Sequence, residues 1–61
     1  MQAIRKYRLK ANLTQKDLAK KLKVSVSTVS MWETEKRVPR TVKLKALSAA
    51  LGVSVDKLIG S

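Results

Sequence analysis

Apolar residues recur at α-helical spacing in five stretches of the chain, separated by residues that favour helix ends or turns. The first stretch predicts a helix over about residues 2–11, followed by Asn12, which tolerates the left-handed conformation that ends helices. The second predicts a short helix with its N-cap at Thr14 and a weak capping box completed by Asp17. The residues that recur at helical spacing in the first helix are Ile4, Tyr7, Arg8 and Ala11. The inner face expected for the second helix consists of Leu18, Ala19 and Leu22.

The third stretch predicts a helix over about residues 26–33, with Ser25 as its N-cap and Val29 and Trp32 as its buried pair. Before it, the segment Lys23-Val24-Ser25 must turn the chain. After it, residues 34–40 are mostly polar and contain the only proline, so we expect a loop there.

Two further helices are predicted in the remaining chain, the fourth ending at Gly52 and the fifth running from an N-cap at Ser54 to Gly60. Their expected inward-facing residues are Leu44, Leu47, Leu51, Val55, Leu58 and Ile59. No strand pattern, repeat or interdomain linker interrupts this order. The sequence therefore predicts an all-α, compact five-helix single domain over residues 1–61.

Charge points to a polyanionic partner. Fourteen Lys and Arg residues against four Asp and Glu residues give a formal net charge of +10 in 61 residues. A hydrophobic content of 44% argues against a disordered basic tail, which lacks residues for a core. Nucleic acid is the favoured partner, and an anionic membrane surface is the alternative.

Composition also argues against an enzyme. The chain contains no His and no Cys, and it has neither a glycine-rich phosphate loop nor a paired set of carboxylates. We therefore expect no catalytic residues, no cofactor, no metal and no small-molecule substrate. The absence of Cys fits a cytoplasmic protein, and no stretch resembles a signal peptide or a membrane span.

The segment TQKDLAKKLKVSVSTVSMWE closely resembles the helix-turn-helix of the Cro and phage-repressor family, also called the XRE family. IRKYRLKANLTQ resembles the family's first helix, WETEKRVP its loop and LKALSAALGVSVDKLI its last two helices, closest to the DNA-binding domain of lambdoid phage repressors. The resemblance implies sequence-specific binding of double-stranded DNA by a transcriptional repressor or regulator. Lys23 and Glu35 stand where the family often has glycine.

The resemblance also implies roles for individual residues. The third helix would enter the major groove, with base contacts from Val26, Ser27, Thr28 and Met31. The expected phosphate contacts are Gln15, Lys16, Ser30, Lys36, Arg37 and Arg40. Arg8 and Glu33 match a structural ion pair between the first and third helices. A weak homodimer, at least on DNA, would form through Val55, Asp56, Lys57 and Ile59.

Alternative functions remain open at this level. An antitoxin or a restriction-modification controller uses the same fold, and the sequence does not separate them from a repressor. A cationic membrane-active peptide is a more distant alternative, disfavoured because five short capped helices bury their apolar faces on one another. A cooperative thermal transition in plain buffer would support the globular domain over the peptide.

Overall fold

The computed structural model describes residues 2–59, and within them the chain forms five α-helices and no strand. The helices are α1 (Gln2–Lys10), α2 (Gln15–Leu22), α3 (Val26–Glu33), α4 (Thr41–Leu51) and α5 (Val55–Ile59). The predicted all-α fold is confirmed, and α1 ends one residue earlier than expected. The predicted end of α5 at Gly60 lies outside the described residues. No helix in the described range is both long and apolar enough to cross a bilayer.

All five helices contribute to one hydrophobic core. Helix α3 packs on α1 and α2, while α4 contacts α1, α2 and α5. The buried apolar residues of this core are Ile4, Leu18, Ala19, Leu22, Val29, Trp32, Leu47, Leu51 and Leu58. Burying each large aliphatic side chain contributes about 1.5–3 kcal/mol, so this small set supplies most of the apolar stabilisation.

The prediction that Ile59 packs inward is wrong, because 55% of this residue is exposed. Successive residues of a helix point about 100° apart, and Leu58 already occupies the inward position of α5 with only 1% exposure. Val55 is half-buried, as is Leu44 of α4. The five-residue α5 therefore presents one fully buried side chain to the core and leaves Ile59 on the surface.

Helices α1 to α4 are each followed, within two residues, by a residue with positive φ: Asn12 (58°), Lys23 (57°), Glu35 (64°) and Gly52 (68°). After α3, the Glu35 N–H donates to the Trp32 carbonyl (3.4 Å) and the Lys36 N–H to the Met31 carbonyl (3.0 Å). This pair of bonds is a Schellman motif, in which a left-handed residue allows the last carbonyls of a helix to be satisfied. Two of the four positions thus place a long side chain where glycine is usual.

Side-chain caps define the beginnings of α2 and α3. The Asp17 N–H donates to the Thr14 hydroxyl, and the Thr14 N–H donates to the Asp17 carboxylate, both at 3.0 Å. This completes the predicted capping box, and the bond from the Thr14 backbone is the main cause that lowers the pKa of Asp17. Ser25 caps α3 by accepting from the Thr28 N–H at 3.2 Å. The start of both helices is therefore set by local hydrogen bonds.

Candidate nucleic-acid interface

The tight turn between α2 and α3 sets the orientation of α3. Lys23 adopts the left-handed conformation, and the next residue, Val24, packs against the core. A small side chain at Ala19, which is 3% exposed, allows α2 and α3 to approach closely. On α3 itself, Val29 and Trp32 are buried, so the opposite side of the helix faces solvent.

The four residues of α3 that are expected to contact bases differ in their exposure. Val26 is 43% exposed, and Ser27 is also exposed, whereas Thr28 and Met31 are half-buried. The Thr28 hydroxyl lies 2.9 Å from the Ser25 hydroxyl, so its orientation is coupled to the N-cap of the helix. The structure thus places a short, mainly uncharged surface on a helix that the core holds from behind.

Basic residues border this surface on the loop that follows α3. Lys36, Arg37 and Arg40 are all exposed, whereas Pro39 is buried and attaches the loop to the domain. The N–H groups of Lys36 and Arg37 both donate to the Met31 carbonyl, at 3.0 and 3.2 Å. The backbone of two expected phosphate-contacting residues is therefore fixed at the C-terminal end of α3, while their side chains extend into solvent.

The beginning of α2 forms the second candidate anion-binding border. Gln15 and Lys16 occupy its first turn, where helical N–H groups lack intrahelical partners and favour an anion. Lys16 is exposed and Gln15 is half-buried, while Ser30, the remaining expected phosphate contact, is half-buried on α3. The Ser30 carbonyl accepts a hydrogen bond from the Thr34 hydroxyl at 2.9 Å.

A buried ion pair joins α1 to the end of α3. Arg8 donates from Nε to Glu33 Oε2 at 2.6 Å and from Nη2 to Oε1 at 3.2 Å, and the two side chains are only 9% and 4% exposed. Arg8 Nη1 also donates to the Leu13 carbonyl at 2.8 Å. The pair is therefore shielded from water, unlike a surface pair that would contribute little. Because the pair contains one charge of each sign, the remaining charged side chains carry the full formal net charge of +10.

Gln15 joins this pair, which the sequence did not indicate. Its Nε2 donates to Glu33 Oε1 at 3.1 Å, across a separation of 18 residues. No local pattern signals such a contact, because it depends on how α2 and α3 cross. Arg8, Glu33 and Gln15 thus form one hydrogen-bonded network that links three helices.

The residues expected at a dimer contact lie together on α5. Val55 is half-buried, Asp56 and Lys57 are exposed, and Ile59 exposes an apolar side chain. Two further apolar residues, Val38 and Val42, are 73% and 75% exposed close to Arg40 in the sequence. No sequence pattern marks these two residues, because one lies in the loop and the other on the outer side of α4.

Comparison with known proteins agrees with this architecture. A helix-turn-helix family model matches residues 4–58. The chain is similar to the HTH-type transcriptional activator BcrR of Enterococcus faecalis, with 42% identity over 48 residues, or 79% of this chain and 24% of that protein. It is also similar to an HTH-type transcriptional regulator of Archaeoglobus fulgidus, with 44% identity over 50 residues, or 82% of this chain and 22% of that protein. The chain thus spans about a quarter of the length of these relatives. No solved structure gives a significant match.

Proposed function

The chain belongs to the helix-turn-helix family, and we propose that it is the sequence-specific DNA-binding unit of a transcription regulator, with α3 in the major groove. The observation that carries the proposal is the two-sided character of α3. Val29 and Trp32 hold the helix on the core, Ser27 is exposed on the opposite side, and Val26 is exposed at the first residue of the helix. The major groove of B-DNA is wide enough to admit a helix presented in this way.

The base contacts that we propose are mainly apolar. Val26, Ser27, Thr28 and Met31 include no Arg, Asn or Gln, so they cannot form the bidentate hydrogen bonds that specify guanine or adenine. Val26 and Met31 pack on thymine methyl groups, and the two hydroxyls make single or water-mediated hydrogen bonds. DNA shape supplies part of the remaining discrimination.

Phosphate contacts on both sides of the groove hold α3 in register. We assign them to the first turn of α2, to Ser30 and to the basic loop residues Lys36, Arg37 and Arg40. These contacts provide affinity for any sequence, whereas the four α3 side chains provide preference.

We propose that the protein binds as a weak two-fold dimer through α5. A single short helix contacts few base pairs, and a second half-site about one helical turn away, roughly 34 Å, multiplies specificity. The exposed Ile59 is suited to such a contact, together with Val55, Asp56 and Lys57.

Repression by occupation of an operator in the cytoplasm is the regulatory outcome that we favour, on the resemblance to phage repressors. Activation is the second candidate, and the name of the Enterococcus relative favours it.

Two variants distinguish base contact from phosphate contact. A binding site is first selected from random duplexes, and affinities are then measured on that site and on a random duplex across a salt series. Met31→Ala is expected to change preference at one or two base pairs by about 1–3 kcal/mol with little effect on the random duplex. Lys36→Ala is expected to weaken both duplexes alike and to lower the salt slope by about one unit.

Lys45→Ala, which removes an exposed charge of α4 outside the proposed interface, is the matched control. It should change the salt slope less than Lys36→Ala does. Equal weakening of both duplexes by Met31→Ala, or altered base preference in Lys36→Ala, would contradict the placement of α3 in the groove.

A further inference from the structure

We propose that Glu33 is a positioning residue for DNA binding, which orients the Gln15 amide at the start of α2 so that it donates to a DNA phosphate. This inference rests on the proposed DNA-binding function. The geometric basis is the contact between Gln15 Nε2 and Glu33 Oε1 at 3.1 Å. Among the described side chains, the Glu33 carboxylate is otherwise bonded only to Arg8. Glu33 thereby links the last residue of α3 to the first residue of α2.

The chemistry of the two groups fixes which end of the amide faces inward. An ionised carboxylate only accepts hydrogen bonds, whereas an amide has a donating NH₂ group and an accepting oxygen. The carboxylate of Glu33 therefore favours the orientation with the Gln15 nitrogen inward and opposes the flipped orientation, in which two oxygens would meet. The buried bonds from Arg8 hold the carboxylate in place.

This orientation matters because a phosphate also accepts hydrogen bonds only. A Gln15 amide that uses one N–H for Glu33 retains a second N–H, at the end of α2 where backbone N–H groups also favour an anion. In the flipped orientation, the amide oxygen would replace this nitrogen beside both Glu33 and the phosphate, and it would repel the phosphate. Glu33 therefore strengthens DNA binding through Gln15 without contacting the DNA itself. It also couples the position of α3 in the groove to the phosphate contact of α2.

The test is a double-mutant cycle on the selected duplex, with Gln15→Met, Glu33→Gln and the double variant. Each protein is measured at a temperature where circular dichroism shows it to be folded. We expect each single variant to bind about tenfold more weakly, as for loss of one hydrogen bond to a charged group, and the double variant to lose about the same tenfold. Glu33→Gln removes a negative charge, so a simple charge effect on DNA binding has the opposite sign.

Gln2→Met, at an exposed glutamine of α1, is the matched control and should leave affinity unchanged. A hundredfold loss in the double variant, or no loss in either single variant, would overturn the proposal. Failure of the wild-type protein to prefer its selected site over random DNA would instead contradict the proposed function.

A second measurement does not depend on the stability of Glu33→Gln. The two protons of a side-chain amide always differ in NMR shift because rotation about the C–N bond is slow. In the wild-type protein, the Gln15 proton bonded to Glu33 should therefore be identified by a shift downfield of the corresponding proton of the exposed Gln2. On addition of the selected duplex, one proton should keep its shift while the other moves. Movement of both protons, or of neither, would overturn the proposal.

Discussion

Replacing Lys23 and Glu35 with glycine should stabilise the protein. Both residues adopt the left-handed conformation, with φ of 57° and 64°, at the ends of α2 and α3. Both are exposed, so removing their side chains sacrifices little buried surface. The backbone is the main contributor to the expected change in the free energy of unfolding.

The magnitude follows from two opposing terms. A non-glycine residue in the left-handed region costs about 1–2 kcal/mol, and glycine loses about 0.5–1 kcal/mol more conformational entropy on folding. The net gain is therefore about 0.5–1 kcal/mol at each site. The two sites lie at opposite ends of the eight-residue α3, about 12 Å apart by helical rise, so their effects should add to about 1–2 kcal/mol.

Thermal and urea denaturation followed by circular dichroism measure this effect. In a domain of this size, each kcal/mol should raise Tm by about 4–8 °C. Lys20→Gly, at an exposed position inside α2, is the control that removes the same charge, and it should destabilise by about 1 kcal/mol. If Lys23→Gly destabilised the protein as much as Lys20→Gly, the left-handed conformation of Lys23 would carry no energetic cost relative to glycine.

Three further predictions concern the ion pair, the capping box and the core. Glu33→Leu should cost about 3–5 kcal/mol in thermal melts because it leaves Arg8 buried and unpaired, and adding Arg8→Met should restore part of that loss; an additive double variant would argue against coupling. The lowered pKa of Asp17 means that its contribution is present above the unfolded value near 3.8 and is lost as pH falls through the folded value. Urea curves of wild type and Asp17→Asn should therefore converge on acidification, and a constant difference would contradict this. Leu47→Ala, at a fully buried position, should cost about 2–5 kcal/mol and reduce helicity at 25 °C; an unchanged melt would show that the core tolerates the cavity.

Helix positions could be predicted from the sequence because their signals are local. The hydroxyls of Thr14 and Ser25 bond N–H groups only three residues away, and Gly52 ends α4 through its own backbone preference. Apolar spacing likewise identified Val29 and Trp32 as the inward side of α3. The same periodicity places Ser27 opposite Val29, whereas the exposure of Val26, three residues before Val29, follows from its place at the start of α3.

Tertiary structure decided the features that depend on how helices cross. Arg8 meets Glu33 across 25 residues and Gln15 meets the same carboxylate across 18, and no local pattern encodes either distance or the burial of the pair. Ile59 is apolar and was expected in the core, yet Leu58 occupies the inward position of the short α5. The sequence by itself thus determined where helices begin and end and which side of each helix is apolar, since those properties arise from neighbours along the chain. Packing alone determined which polar groups meet, since that requires three helices to be held together by one shared core.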